Sequence, residues 1–180
     1  MPRILAAAYL AALSAAALPA HAGEWSEPAV VTHQDDIVVQ YRARIDGPYL
    51  VVKVVLEPTW HTFTMDNERR AKERLAGKMS LGIDQQTEIK ITGGLKLAGP
   101  WLQPEPKDFS KPDLRWFSYG YEKEAVFAAK VEGAAPAQLN VRAQACTETT
   151  CKNINVNLAV PAATPGGKAE LDTTKLVQVK

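Results

Sequence analysis

The chain has 180 residues, 46% of them hydrophobic, with 21 basic side chains against 20 acidic ones and two cysteines. A charge balance this close to neutral excludes a nucleic-acid surface or a polybasic membrane patch as its organising feature. The length suits one domain with a hydrophobic core of its own.

The N-terminus reads as a secretory signal peptide. Arg3 is the lone charge, Ile4 to Leu18 is almost wholly Ala, Leu and Tyr, and Ala20-His21-Ala22 offers a small-residue cleavage site. The apolar run is short for a membrane span of about 20 residues. Cleavage is expected after Ala22, and no cysteine follows the apolar region to carry a lipid. The remaining 158 residues hold 20 basic and 20 acidic side chains. The product is expected to be periplasmic or secreted, without a stable membrane anchor, where disulfides persist. The expected division is 1–22 signal peptide, 23–160 folded domain and 161–180 C-terminal tail.

Past an irregular start, Ile37 to Ile45 is β-branched and partly alternating. Asp46-Gly47-Pro48 signals a turn, and Tyr49 to Glu57 reads as a second strand, so the two form a hairpin. Pro58 to Phe63 is a short aromatic segment containing Trp60 and His61. His61 is expected to be a surface or packing residue.

Asp66 to Lys78 is the one convincing helix. Asp66 is its expected N-cap, Glu68/Lys72 and Arg69/Glu73 are spaced for ion pairs, and Gly77 is a stop signal. Its apolar face is only Ala71, Leu75 and Met79, which fits a short surface helix.

Thr87 to Thr92 alternates like a strand, Gly93-Gly94 is expected to turn the chain, and Leu95 to Leu97 is a further short strand. Gly99 to Asp113 contains four prolines and is expected to be a long loop. It leads into an aromatic run, Trp116, Phe117, Tyr119 and Tyr121. Ala125 to Val131 is a strand, Gly133 to Pro136 an expected turn, and Gln138 to Gln144 and Lys152 to Val160 are the strands flanking the cysteines.

Seven or eight short strands with one helix point to an all-β fold, an immunoglobulin-like antiparallel β-sandwich with one short surface helix. A jelly roll or small barrel is the alternative.

Cys146 and Cys151 lie at the junction of the last two strands. Alternate residues of a strand face opposite sides. Pairing Cys146 with Cys151 sets Ala143, Val141 and Leu139 opposite Ile154, Val156 and Leu158 on one face. Gln144, Arg142 and Asn140 then meet Asn153, Asn155 and Asn157 on the other. A slip by one residue would destroy the segregation. The cysteines thus fall on the polar parity, close enough to bond. Closing so short a ring contributes only about 2 kcal/mol in the chain-entropy model. Lys152 beside Cys151 favours a thiolate there, and Glu148 disfavours one at Cys146. The residues alone leave two readings open, a redox couple or a structural staple in a secreted binding module. His33 and His61 lack metal-ligand spacing to the cysteines, and no phosphate loop, nucleophilic triad or cofactor signature is present.

Trp60-His61-Thr62-Phe63, the Trp116 to Tyr121 run and Gln144-Ala145-Cys146 through Cys151 follow one another in a recognisable order. From about Val30 to Val160 the chain resembles the N-terminal periplasmic domain of the bacterial thiol:disulfide interchange protein DsbD. The resemblance implies an immunoglobulin-like domain with a redox-active cysteine pair. It implies that Cys151 forms the mixed disulfide and Cys146 resolves it. It also implies an aromatic cap over the cysteines, with Trp116, Phe117 and Tyr119 as candidates, and no cofactor. The expected partners are thioredoxin-like periplasmic proteins or a membrane-embedded electron donor. The chain departs from the family in carrying neither membrane segments nor a thioredoxin-like module. It also separates the cysteines by four residues where some members have five, and has Asn153-Ile154 in place of a proline-containing stretch. The direction of electron flow and the donor are left open.

Overall fold

The structure is a computed structural model that describes residues 22–180, so the signal-peptide reading of residues 1–22 falls almost wholly outside the described residues. It is an all-β, immunoglobulin-like antiparallel sandwich with one short helix. The strands are β1 (Ala29–His33), β2 (Asp36–Asp46), β3 (Tyr49–Leu56), β4 (His61–Phe63), β5 (Glu88–Pro104), β6 (Lys107–Asp108), β7 (Tyr119–Glu122), β8 (Glu124–Cys146), β9 (Cys151–Val160) and β10 (Leu176–Gln178), with helix α1 (Asn67–Leu75) between β4 and β5.

Two long strands, β5 and β8, run through both layers. The first half of β8 pairs with β3, which continues through β2 to β1. Its second half pairs with β9 along one edge, and with the start of β5 and then β4 along the other. β7 and β6 continue outward from β4. The bend lies where sequence reading expected turns. Gly93 and Gly133 have φ of +95° and +96°, and the β5–β8 register shifts between Gly93 and Leu95. The glycines therefore open a bulge in two paired strands and do not reverse the chain.

The expected loop from Gly99 to Asp113 is also corrected. Strand β5 continues to Pro104, with Trp101 and Leu102 opposite Ala129 and Ala128. Pro100 falls within the register break between Leu97 and Trp101, and Pro104 ends the strand, so neither interrupts a regular ladder. The true loop begins after Pro104. Beyond Pro161 the chain returns to lay β10 against Leu102 to Pro104 of β5.

The core is continuous between the layers. Val39, Tyr41 and Ala43 of β2 share one cluster with Phe127, Leu139 and Val141 of β8 and Leu158 of β9, most of them fully buried. This burial is the main stabilising term.

Helix α1 lies on the surface and carries the expected Lys72–Glu68 and Arg69–Glu73 pairs. Ala71 and Leu75 are buried with Phe117, while Met79 is 80% exposed. The expected cap is not made: Asp66 occupies the N-cap position, but its side chain bonds to no helical N–H. Its Oδ1 accepts from Arg70 Nε and Gln103 Nε2, both at 2.8 Å, and Oδ2 from the Lys180 backbone N–H. A guanidinium and a buried amide outcompete the helix end for that carboxylate.

Candidate functional site

The β8–β9 hairpin adopts the register that strand parity requires. Cys146 faces Cys151, Gln144 faces Asn153, Ala143 faces Ile154, and the alternation continues to Leu139 opposite Leu158. The inner row is buried apart from a half-buried Val156, and the outer row forms a polar ladder in which Asn140 bonds to Asn155 and Asn157, and Gln144 to Asn153. At its loop end Cys146 and Cys151 are joined by a disulfide, with Cα atoms 4.0 Å apart. The loop beyond is held by Thr147, whose Oγ1 accepts from the Thr149 and Thr150 N–H groups.

The two sulfurs differ in setting. Cys151 is exposed, whereas Cys146 is 3% exposed although it lies on the polar parity. The difference comes from neighbours distant in sequence. His61 of β4 pairs directly with Cys146, and a cleft of about 890 Å³ opens beside the disulfide, with His61, Asp84, Phe109 and Trp116 among its walls.

Each wall has a structural reason to be there. Asp84 sits in the connection between α1 and β5. Asn67, the fully buried first residue of α1, donates from Nδ2 to the Asp84 carbonyl and accepts from the Tyr119 N–H through Oδ1. One helical side chain thereby ties the Asp84 segment to the start of β7. Gln144 accepts from the Gln85 N–H and so tethers the same segment to the cysteine hairpin. The Asp84 carboxylate accepts from Trp116 Nε1 at 2.8 Å and from Ser118 Oγ. Trp116 lies flat against Gly82, where a Cβ would meet its ring at 2.8 Å, so that position has no room for a side chain. Phe109 stacks on His61 with ring centroids 4.6 Å apart.

An oxygen of Asp84 and the sulfurs of Cys146 and Cys151 lie within 4.8 Å of one another. Bonded to each other, the sulfurs carry no thiolate and offer no metal ligand in this form. Lys111, Glu122 and Glu148 also face the cleft. Burial lowers the His61 imidazole below its ordinary 6.5; Asp84 and Glu122 pull it upward, and Lys111 adds to the depression. His61 is therefore neutral near pH 7.

Of the aromatic residues singled out in the sequence, Trp116 lines the cleft. Phe117 instead packs on Ala71 and Leu75 under Arg74, and Tyr119 lies beside them with Arg70 over its ring. Asp84, Phe109 and the position of His61 went unread, since no spacing links them to the cysteines. Lys152 does not share a strand face with Cys151. Its partner across the ladder is the core-facing Ala145, so alternation sends it to the face opposite Cys151.

No protein-family model and no curated protein matches the chain. Among solved structures it is similar to the N-terminal periplasmic domain of ScsB from Proteus mirabilis, with 20% sequence identity and a TM-score of 0.49. The match covers 83% of this chain and 55% of that one, so the chain spans little more than half of that structure. Among the described residues no helix is long and apolar enough to cross a membrane.

Proposed function

We propose that this protein is an exported thiol:disulfide interchange protein of the DsbD N-terminal type, acting through the Cys146/Cys151 pair. The observation that carries the reading is the asymmetry of the disulfide, which has one exposed sulfur and one buried sulfur at the floor of an aromatic-walled cleft. A staple for the hairpin would not need such a cleft, and the register is already fixed by nine residue pairs besides the cysteines.

The exposed Cys151 is the attacking thiolate. It forms a bond to one sulfur of a partner disulfide and displaces the other as a thiolate. Cys146 then attacks the Cys151 sulfur, closes the intramolecular disulfide and releases the partner's second thiolate. Two electrons and two protons pass from the cysteine pair to the partner. Return to the dithiol requires a reduced dithiol donor, either a thioredoxin-like protein or a membrane-embedded one. Trp116 and Phe109 act as the cap over the pair, while Phe117 and Tyr119 anchor that cap to α1. In this reading residues 1–22 are a signal peptide cleaved after Ala22, residues 23–160 are the interchange domain and residues 161–180 its tail, in the periplasm or outside the cell.

The test is trapping. A reduced Cys146→Ser variant mixed with oxidised thioredoxin is expected to hold a mixed disulfide through Cys151, seen by non-reducing electrophoresis and peptide mass spectrometry. Cys151→Ser is expected to hold none. Equal trapping by the two variants, or none by either, favours a binding module with a structural cystine. Such a cystine would also have a reduction potential below about −300 mV.

A further inference from the structure

The buried partner of the pair has a chemical difficulty. Before Cys146 can resolve a mixed disulfide it must lose its thiol proton, yet at 3% exposure it meets little solvent at the floor of the cleft. Thiolate, not thiol, is the nucleophile. We propose that Asp84 is the proton acceptor for Cys146 in the resolving step. The inference rests on the interchange reading and deepens it.

Geometry supports the assignment first. A carboxylate oxygen of Asp84 lies within 4.8 Å of both sulfurs. Once the Cys146–Cys151 bond is open, rotation of the freed thiol or one bridging water brings proton and carboxylate into hydrogen-bond reach.

Positioning supports it next. Trp116 and Ser118 both donate to Oδ2, and among the described residues no hydrogen bond engages Oδ1. One oxygen is thus pinned and the other is left to accept. The backbone is held by Asn67 on the Asp84 carbonyl and by Gln144 on the next amide, so the carboxylate sits on a braced segment of an otherwise irregular connection.

The remaining charged groups facing the cleft do not fill the role. Glu122 is engaged by Lys107, and Glu148 is on the exposed hairpin loop. Lys111 is a cation. His61 is a neutral imidazole opposite Cys146, and it is the one rival base.

In the step itself, the Cys146 S–H bond breaks and its proton passes to an Asp84 oxygen. The electron pair left on Cys146 Sγ forms the bond to Cys151 Sγ. The Cys151–partner bond breaks and the partner leaves as a thiolate, which takes a proton from solvent as Asp84 returns its own. No oxidant beyond the partner disulfide is consumed.

The experiment uses reduced protein and an equimolar aromatic disulfide, dithiobis(nitrobenzoate). Its first chromophore is released when Cys151 attacks and its second when Cys146 resolves. In Asp84→Asn the first phase is expected to stay within about twofold and the second to slow by about a hundredfold, the low end of general-base contributions. The slowed phase should then rise about tenfold per pH unit, because solvent hydroxide replaces the lost base. Asp84→Glu should recover most of the rate. If Asp84→Asn does not fold, Ser118→Ala carries the test, with a several-fold slower second phase expected and an unchanged one overturning the proposal. A second phase in Asp84→Asn that matches the parent, or one slowed by His61→Gln and not by Asp84→Asn, overturns it too. If the parent protein releases no first chromophore, the interchange reading fails and the proposal falls with it. Normal exchange with an indifferent Asp84→Asn sinks the proposal alone.

Discussion

Two carboxylates flank helix α1 and have opposite fates. Asp66 precedes it, is 2% exposed, and is surrounded by a guanidinium, a buried amide and a backbone N–H. Asp84 follows it, is half-buried, and has two uncharged donors on a single oxygen, with no cation within ion-pair distance among the described residues. The first charge is neutralised where it lies and holds together α1, β5 and the C-terminus. The second is left uncompensated beside a disulfide. A buried acid with a full set of partners is structural, whereas one held in place yet left unsaturated is available for chemistry.

The largest effect is expected at Asp66. Asp66→Ala leaves Arg70 and Gln103 without their acceptor and is expected to cost about 3 kcal/mol or more, the range for removing one partner of a buried pair. Asp84→Asn is expected to stay within about 1 kcal/mol of the parent in the same urea titration. The pH dependence has a matching sign. Burial alone would raise the Asp66 carboxyl, but Arg70, Gln103 and the Lys180 N–H hold it below its ordinary 3.8. A depressed acid stabilises the fold fully above its unfolded value, and that contribution is lost as pH falls through the folded one. The parent should therefore lose stability below about pH 4, and Asp66→Asn should be markedly less sensitive there. Equal acid sensitivity of the two proteins would make Asp66 an ordinary surface acid.

Neither role was legible in the sequence, for a physical reason. The cysteine hairpin could be read to the residue, because parity leaves one register in which Leu139, Val141 and Ala143 share a face with their partners. The aromatic run before Tyr121 was legible as a neighbour of the cysteines only at Trp116. Asp66 looked like a cap because local pattern cannot see Gln103 or Lys180, which reach it from β5 and the chain end. Asp84 follows an Ile in a connection without periodicity, and the site emerges only when β4, β7 and the hairpin converge. Lys152 is next to Cys151 in sequence but on the other face of the strand, because adjacency in a strand means opposite faces.

A smaller effect separates the aromatic residues. Trp116→Ala should speed alkylation of the reduced thiols by about tenfold, equivalent to ~1.4 kcal/mol of lost protection. Trp116→Phe keeps a ring but removes the donor to Asp84, so it should restore most of the shielding. Phe117→Ala should leave the alkylation rate of the folded protein near the parent value and instead cost about 3 kcal/mol through the cavity it opens beneath α1. Alkylation equally fast in both variants would mean that the whole segment, and not the Trp116 ring, covers the pair.

The smallest expected effect is also the most local. Burial holds the His61 imidazole below 6.5, against the upward pull of Asp84 and Glu122, while Lys111 pushes it further down. Removing the carboxylate in Asp84→Asn should therefore lower the His61 value further, and Lys111→Gln should raise it, each by less than about one unit. Proton NMR titration of the imidazole C–H resonances of His61 reads both shifts directly. Opposite signs in the two variants would show that Asp84 and Lys111 act on the cleft as bare charges. An Asp84→Asn value that rises instead would mean that the carboxylate acts mainly by holding Trp116 over the imidazole, so that its loss lets water in and relieves the burial that depresses His61.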